Sequence, residues 1–127
     1  MKKQDLPLSP HLQIYKPQIT SLLSISHSIS GEALKFVLLI LVLGLLCITL
    51  GESYFELLIS LINSFPIKII TFLAILGFSY HFLNGIRHII WDFGFLLGNR
   101  SSAIFGYIII ATSFVSSILI SMLLGLF

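Results

Sequence analysis

The sequence predicts an all-α integral membrane protein whose three transmembrane helices form part of a hetero-oligomeric helical bundle. Three observations predict it. Of 127 residues, 57% are hydrophobic and 9% charged, against about 25% charged in a typical soluble domain. Three long apolar blocks follow one another, around Phe36–Leu50, Pro66–Trp91 and Ala103–Phe127. Most of the ionisable residues within the blocks cluster in one stretch, Ser79–Gly94. A chain so poor in charge cannot cover a water-facing surface.

The N-terminus, MKKQDLPLSPHLQIYKPQ, has two lysines but no apolar core behind them. It also lacks the arginine-rich, acid-poor character of a transit peptide. The mature chain is therefore expected to start where the sequence does, in a bacterial inner membrane or, if organelle-encoded, the mitochondrial inner membrane. Residues 1–23 read as a cytoplasmic N-terminal segment and 24–127 as a three-helix anchor, with spans at about 24–50, 66–91 and 103–127.

The first apolar block is short for a hydrocarbon core of about 30 Å at about 1.5 Å per residue. It must extend backwards through Ser24–Lys35. Lys35 is then expected to snorkel to the interface, with Glu32 in the headgroup zone. The segment Glu52–Phe65 is too apolar for a free loop. It reads as a short interfacial helix or an extension of the first span, with Glu52 and Glu56 on a solvated face. Pro66 suits the first turn of the second span. Ser101 and Ser102 precede the uncharged third block, where a serine can cap a helix N-terminus.

Charge placement sets the orientation. Lys2, Lys3, Lys16, Lys35, Arg87 and Arg100 fall on one side, and only Lys68 on the other. The N-terminus and the loop between spans two and three should face the cytoplasm, and the C-terminus the periplasm. A net charge of +2 without a basic, aromatic-interleaved patch gives no reason to expect nucleic acid. The lone Cys47 excludes an intrachain disulfide and a CxxC metal site and reads as a small hydrophobe. There is no P-loop, HExxH, GxGxxG or nucleophile elbow, and no catalytic constellation.

An ionisable residue at bilayer depth is expensive, which makes it a functional hypothesis. With His81 at 0° on a helix, His88 falls at about 340°, Asp92 at about 20°, Gly85 at about 40° and Asn84 at about 300°. Gly77, at about 320°, joins that face, where two glycines let a planar group or another helix approach the backbone. Arg87 lies off it at about 240°. His81 reads as an axial ligand to haem iron or as a helix–helix hydrogen bond. His88, about 10.5 Å along the axis, cannot share an iron with it, so a second ligand must come from another helix. His27, between Ser24 and Ser28, suits a quinone carbonyl or a haem propionate, or simply faces headgroups. His11 reads as solvated. Arg87 and Asp92 form an interfacial ion pair or part of a proton path.

Two motifs carry a resemblance. LSPHLQIYKPQITSLLSISHSISG (Leu8–Gly31) and SYHFLNGIRHIIWDFG (Ser79–Gly94) resemble the cytochrome b556 subunit family of succinate dehydrogenase over essentially the whole chain. The resemblance implies a membrane anchor that carries electrons but no succinate chemistry. It implies one haem b, shared with a second small anchor subunit that supplies the other iron ligand, and ubiquinone as substrate. It implies an iron–sulfur subunit and a flavoprotein as partners. It makes His81 the axial ligand to the haem iron and places His27 beside the propionates. Ser24 lines the quinone pocket, and His88, Arg87 and Asp92 lie near haem and quinone. The family carries arginine where this chain has Ser28, and a serine has no charge to pair with a propionate. Two rivals stay open: a fumarate reductase-type anchor, and a small transporter subunit with His81, His88 and Asp92 as a proton path. A third is a purely structural assembly subunit.

Overall fold

A computed structural model describes residues 16–127, and they form four helices. Lys2, Lys3, His11 and most of the expected cytoplasmic segment lie outside the described residues. Helix α1 runs Ile19–Thr49, α2 Glu52–Asn63, α3 Phe65–Asp92 and α4 Asn99–Leu123. Helices α1, α3 and α4 are long and apolar enough to cross a membrane, and no strand is formed among the described residues.

α1 begins directly after Pro17 and an extended Gln18, so it reaches back beyond Ser24. Its 31 residues span about 46 Å. Leu50 closes it, and Gly51, at φ +115°, turns the chain through a backbone region that suits glycine. α2 is therefore a helix of its own, with Glu52 in its first turn, where the helix dipole favours a carboxylate. Leu58 of α2 packs towards Gly44 of α1. Ser64 ends α2 and opens α3, its Oγ donating to the Leu61 carbonyl at 2.6 Å. Pro66 occupies the first turn of α3, where a missing N–H costs nothing.

α3 and α4 each end on a glycine with positive φ, Gly94 at 82° and Gly125 at 65°. The N–H groups of Phe95 and Leu126 reach back to the carbonyls of Ile90 and Ser121 at 3.2 and 3.0 Å. These are Schellman closures, which satisfy carbonyls left over at a helix end. The expected start of the third span is displaced. α4 opens at Asn99 with Gly98 as its N-cap, and no side chain caps it. Ser101 Oγ instead returns to the Gly98 carbonyl at 2.8 Å, and Ser102 is occupied by a neighbouring helix.

α3 is the central element, packed against α4 on one side and α1 on the other. The α4 face turned inward is made of small residues: Ser102, Gly106, Ser113, Ser117 and Ser121 are all buried. Ser113 and Ser117 donate to the carbonyls of Ile109 and Phe114 of their own helix, at 2.7 and 2.9 Å. Close backbone approach, rather than bulky side chains, holds such helices together in lipid. The Leu23 side chain of α1 inserts over Gly106, where a Cβ would collide with it.

Candidate functional site

The seam between α1 and α3 is written in hydrogen bonds to two α1 carbonyls. Tyr80 Oη donates to the Leu23 carbonyl at 2.7 Å, and Asn84 Nδ2 reaches the same oxygen at 3.5 Å. One turn further along α1, His81 Nδ1 lies 3.1 Å from the His27 carbonyl and 3.1 Å from Ser30 Oγ. Ser30 Oγ itself donates to the His27 carbonyl at 2.8 Å. A carbonyl accepts only, so Nδ1 must carry the proton. The neutral ring then holds its lone pair on Nε2, which makes no hydrogen bond.

Gly31 lets the helices close around that ring, while Gly85 faces His27 with room to spare. A Cβ on Gly31 would stand 2.8 Å from His81 Cε1, and one on Gly85 would stand 3.7 Å from His27 Cε1. Gly77 does not share in this. It opens on a separate cavity of about 360 Å³, lined also by Tyr80, Ser26 and Ser113.

The three histidines meet. His27 stacks flat on His81 at 4.0 Å between centroids, and His88 approaches His27 at 5.1 Å, tilted by 46°. Trp91 then meets His88 edge-on at 5.2 Å. His27 and His81 face each other with π surfaces, not nitrogens, so they cannot clamp one iron. His27 Nδ1 is buried without a hydrogen-bond partner.

On the other flank of His81 lies an open groove of about 620 Å³, lined by Ser28, Ile29, Gly31, Glu32, Lys35 and His81. Ser24 is exposed four residues before Ser28, whose Oγ donates to the Ser24 carbonyl at 3.3 Å. Glu32 and Lys35 lie in the middle of α1. Their neighbour Gly31 touches His81, which lies midway along α3.

Arg87 and Asp92 form no ion pair. Among the described residues the one ion pair is Lys35–Glu32. Asp92 is exposed at the last residue of α3. Arg87 is 0% exposed and points to α4. Its Nη1 donates to Asn84 Oδ1 at 3.2 Å, and its Nη2 to Ser102 Oγ and carbonyl at 3.0 and 3.3 Å. The guanidinium lies 4.1 Å from the centre of the Trp91 ring, a cation–π contact that strengthens where water is excluded. Arg87 is thus turned away from the groove and joins α3 to α4.

The residues suit one axial porphyrin ligand. A nitrogen with a free lone pair stands at an open groove, its other nitrogen held by a carbonyl, the arrangement that orients a ligating histidine. No group of three or more metal-ligating side chains gathers among the described residues, and an axial ligand needs none. Ser30, Gly31, Tyr80, Trp91 and Ser102 complete the site; the first four lie within the two motifs, and Ser102 reads in the sequence only as a helix cap, so none is singled out there by its chemistry.

Comparison with known proteins adds an independent line. Residues 2–120 match the family described as succinate dehydrogenase/fumarate reductase transmembrane subunit. The chain is similar to a succinate dehydrogenase cytochrome b556 subunit of Rickettsia typhi, 43% identical over 118 residues, covering 93% of this chain and 89% of the relative. It is 42% identical to the corresponding subunit of Rickettsia prowazekii, with the same two coverages of 93% and 89%. A succinate dehydrogenase cytochrome b560 subunit of Marchantia polymorpha is 45% identical over 101 residues, 75% of this chain and 73% of the relative.

Proposed function

The chain belongs to the succinate dehydrogenase/fumarate reductase transmembrane subunit family, and from that premise we propose that it anchors a succinate dehydrogenase, holding haem b and one side of a ubiquinone-reduction site. It crosses an inner membrane three times, with its N-terminus in the cytoplasm and its C-terminus in the periplasm. Succinate is oxidised on a flavoprotein subunit. An iron–sulfur subunit delivers the electrons, and a second small anchor subunit supplies the other iron ligand.

The observation that carries this reading is the hydrogen bonding of His81. Its Nδ1 is held by the His27 carbonyl and Ser30 Oγ, and Nε2 is left free beside the groove. Haem b, when bound, supplies a one-electron store next to the quinone. The chain's own residues do the rest. His81 Nε2 would hold the iron, and the hydrogen bond on Nδ1 would fix the tautomer and raise the basicity of the ligand. His27 walls the His81 ring. Ser28, which lines the groove, and Ser24, one turn before it, offer hydroxyls to a quinone carbonyl, and His88 and Asp92 extend the polar face towards the cytoplasmic end of α3. Arg87 positions this end of the bundle through Asn84, Ser102 and Trp91.

The absorbance spectrum of the purified membrane complex tests the reading. A b-type haem band is expected, and His81→Ala should abolish or strongly weaken it while the chain stays in the membrane. An unchanged band in the His81→Ala complex would overturn it.

A further inference from the structure

We propose that Lys35 is the cation that seats an acidic group of the ligand bound against His81; for haem b, that group is a porphyrin carboxylate. The inference rests on the haem reading above. Lys35 Nζ donates to Glu32 Oε1 at 2.7 Å, and the two side chains are 71% and 69% exposed. An exposed pair of this kind adds little stability.

Position makes the pair unusual, because it lies in the middle of α1 rather than at either end. Gly31 packs on His81, and His81 stands 16 residues from Phe65 and 11 from Asp92, the two ends of α3. At about 1.5 Å per residue, that is roughly 24 and 16 Å from the helix ends. Charges held within a membrane-spanning helix turn to a polar cavity or a partner rather than to acyl chains. The pair faces the groove that His81 lines.

Direction and valence fit the role. Side chains on a helix lean towards its N-terminus, and Lys35 reaches back to a residue three positions earlier. That turns its ammonium back along α1 towards the part of the groove that Ser28 and His81 also line. An ammonium has three donors, and Glu32 takes one. Two remain for an incoming carboxylate, and a carboxylate leaving water needs a hydrogen-bonded cation.

The other cations among the described residues are out of place. Arg87 is sealed against Ser102 and Trp91. Lys16 precedes α1, Lys68 lies in the first turn of α3 and Arg100 in that of α4. Ser28 is uncharged. Lys35 is the one cation among the described residues that lines the groove.

The test uses the assembled complex carrying Lys35→Met, Lys35→Arg, Glu32→Gln or the pair Ser28→Arg/Lys35→Met. Haem-to-protein ratio and haem midpoint potential are measured, with succinate oxidation by an artificial acceptor as the assembly control. Removing a positive charge beside the iron disfavours the reduced form, and removing a negative one favours it. Lys35→Met should lower haem occupancy several-fold, or lower the ferrous-to-ferric ratio about tenfold at fixed poise, about 59 mV for one electron. Glu32→Gln should shift the potential upwards, Lys35→Arg should stay near the unsubstituted complex, and Ser28→Arg should restore haem to Lys35→Met. If Lys35→Met does not assemble, the Glu32→Gln shift and the Ser28→Arg rescue decide. Haem content and potential that are the same in all four variants overturn the proposal. Haem lost in His81→Ala but indifferent to Lys35 overturns the Lys35 assignment alone, and haem retained in His81→Ala overturns the reading beneath it.

Discussion

The imidazole of His27 lies flat against that of His81, with centroids 4.0 Å apart and planes 6° from parallel. Each ring backs onto a glycine of the opposite helix: His81 onto Gly31, and His27 onto Gly85. On the His81 side the stack depends on the missing Cβ at Gly31, which would stand too close to the ring.

The two glycines are not equivalent, and that difference is measurable. A methyl at Gly31 would stand 2.8 Å from His81 Cε1, inside any tolerable contact, whereas at Gly85 it would stand 3.7 Å from His27, an ordinary one. Forcing a group into a packed site typically costs about 1–3 kcal/mol. Gly31→Ala should therefore turn the His81 ring, seen as a shifted or broadened haem band and several-fold lower haem occupancy. Gly85→Ala should leave the spectrum nearly unchanged. Equal effects would mean that ring clearance does not govern the site.

Arg87 should resist conservative replacement. Its guanidinium spans Asn84 and Ser102 while lying over Trp91. A lysine cannot fork between two partners and stack at once. Arg87→Lys should destabilise the complex by about 2–4 kcal/mol, the order of a lost desolvated cation–π contact and one charged hydrogen bond. Ser102→Ala, which removes one acceptor, should cost about 1–2 kcal/mol. Thermal unfolding of the complex in detergent compares them, and an unaltered Arg87→Lys would refute the forked role.

Ser24→Ala should separate two activities. Quinone reductase turnover is expected to fall severalfold, and succinate oxidation by an artificial acceptor to hold. Parallel losses in the two assays would remove Ser24 from the quinone site and make it an assembly residue.

The spans were legible because charge-free blocks of bilayer length have few other uses. The start of α1 was not. Ile19–Leu23 mixes serine and threonine with leucine, and a length argument alone stops at Ser24, while Pro17 sets the true limit. Arg87 was legible as lying off the histidine face, but its destination was not, because Ser102 sits on another helix beyond a loop and a single-helix projection carries no register between helices. For the same reason the meeting of His27 with His81 and His88 could not be read from α3. Ser30 looked like one serine among several. Its importance arises only from standing between a carbonyl and an imidazole of different helices.

The serine-lined face of α4 has a thermodynamic corollary. Water is already gone when α3 and α4 meet in a bilayer, and their contact surface of small serines, Ser113 and Ser117 folded back on their own carbonyls, hides little hydrocarbon from solvent. The large positive heat-capacity change that marks the melting of water-soluble proteins comes from apolar surface becoming hydrated. Separating this hairpin within lipid should show almost none of it, so its resistance to pulling apart should vary gently with temperature and show little of the weakening on cooling that a water-driven core displays.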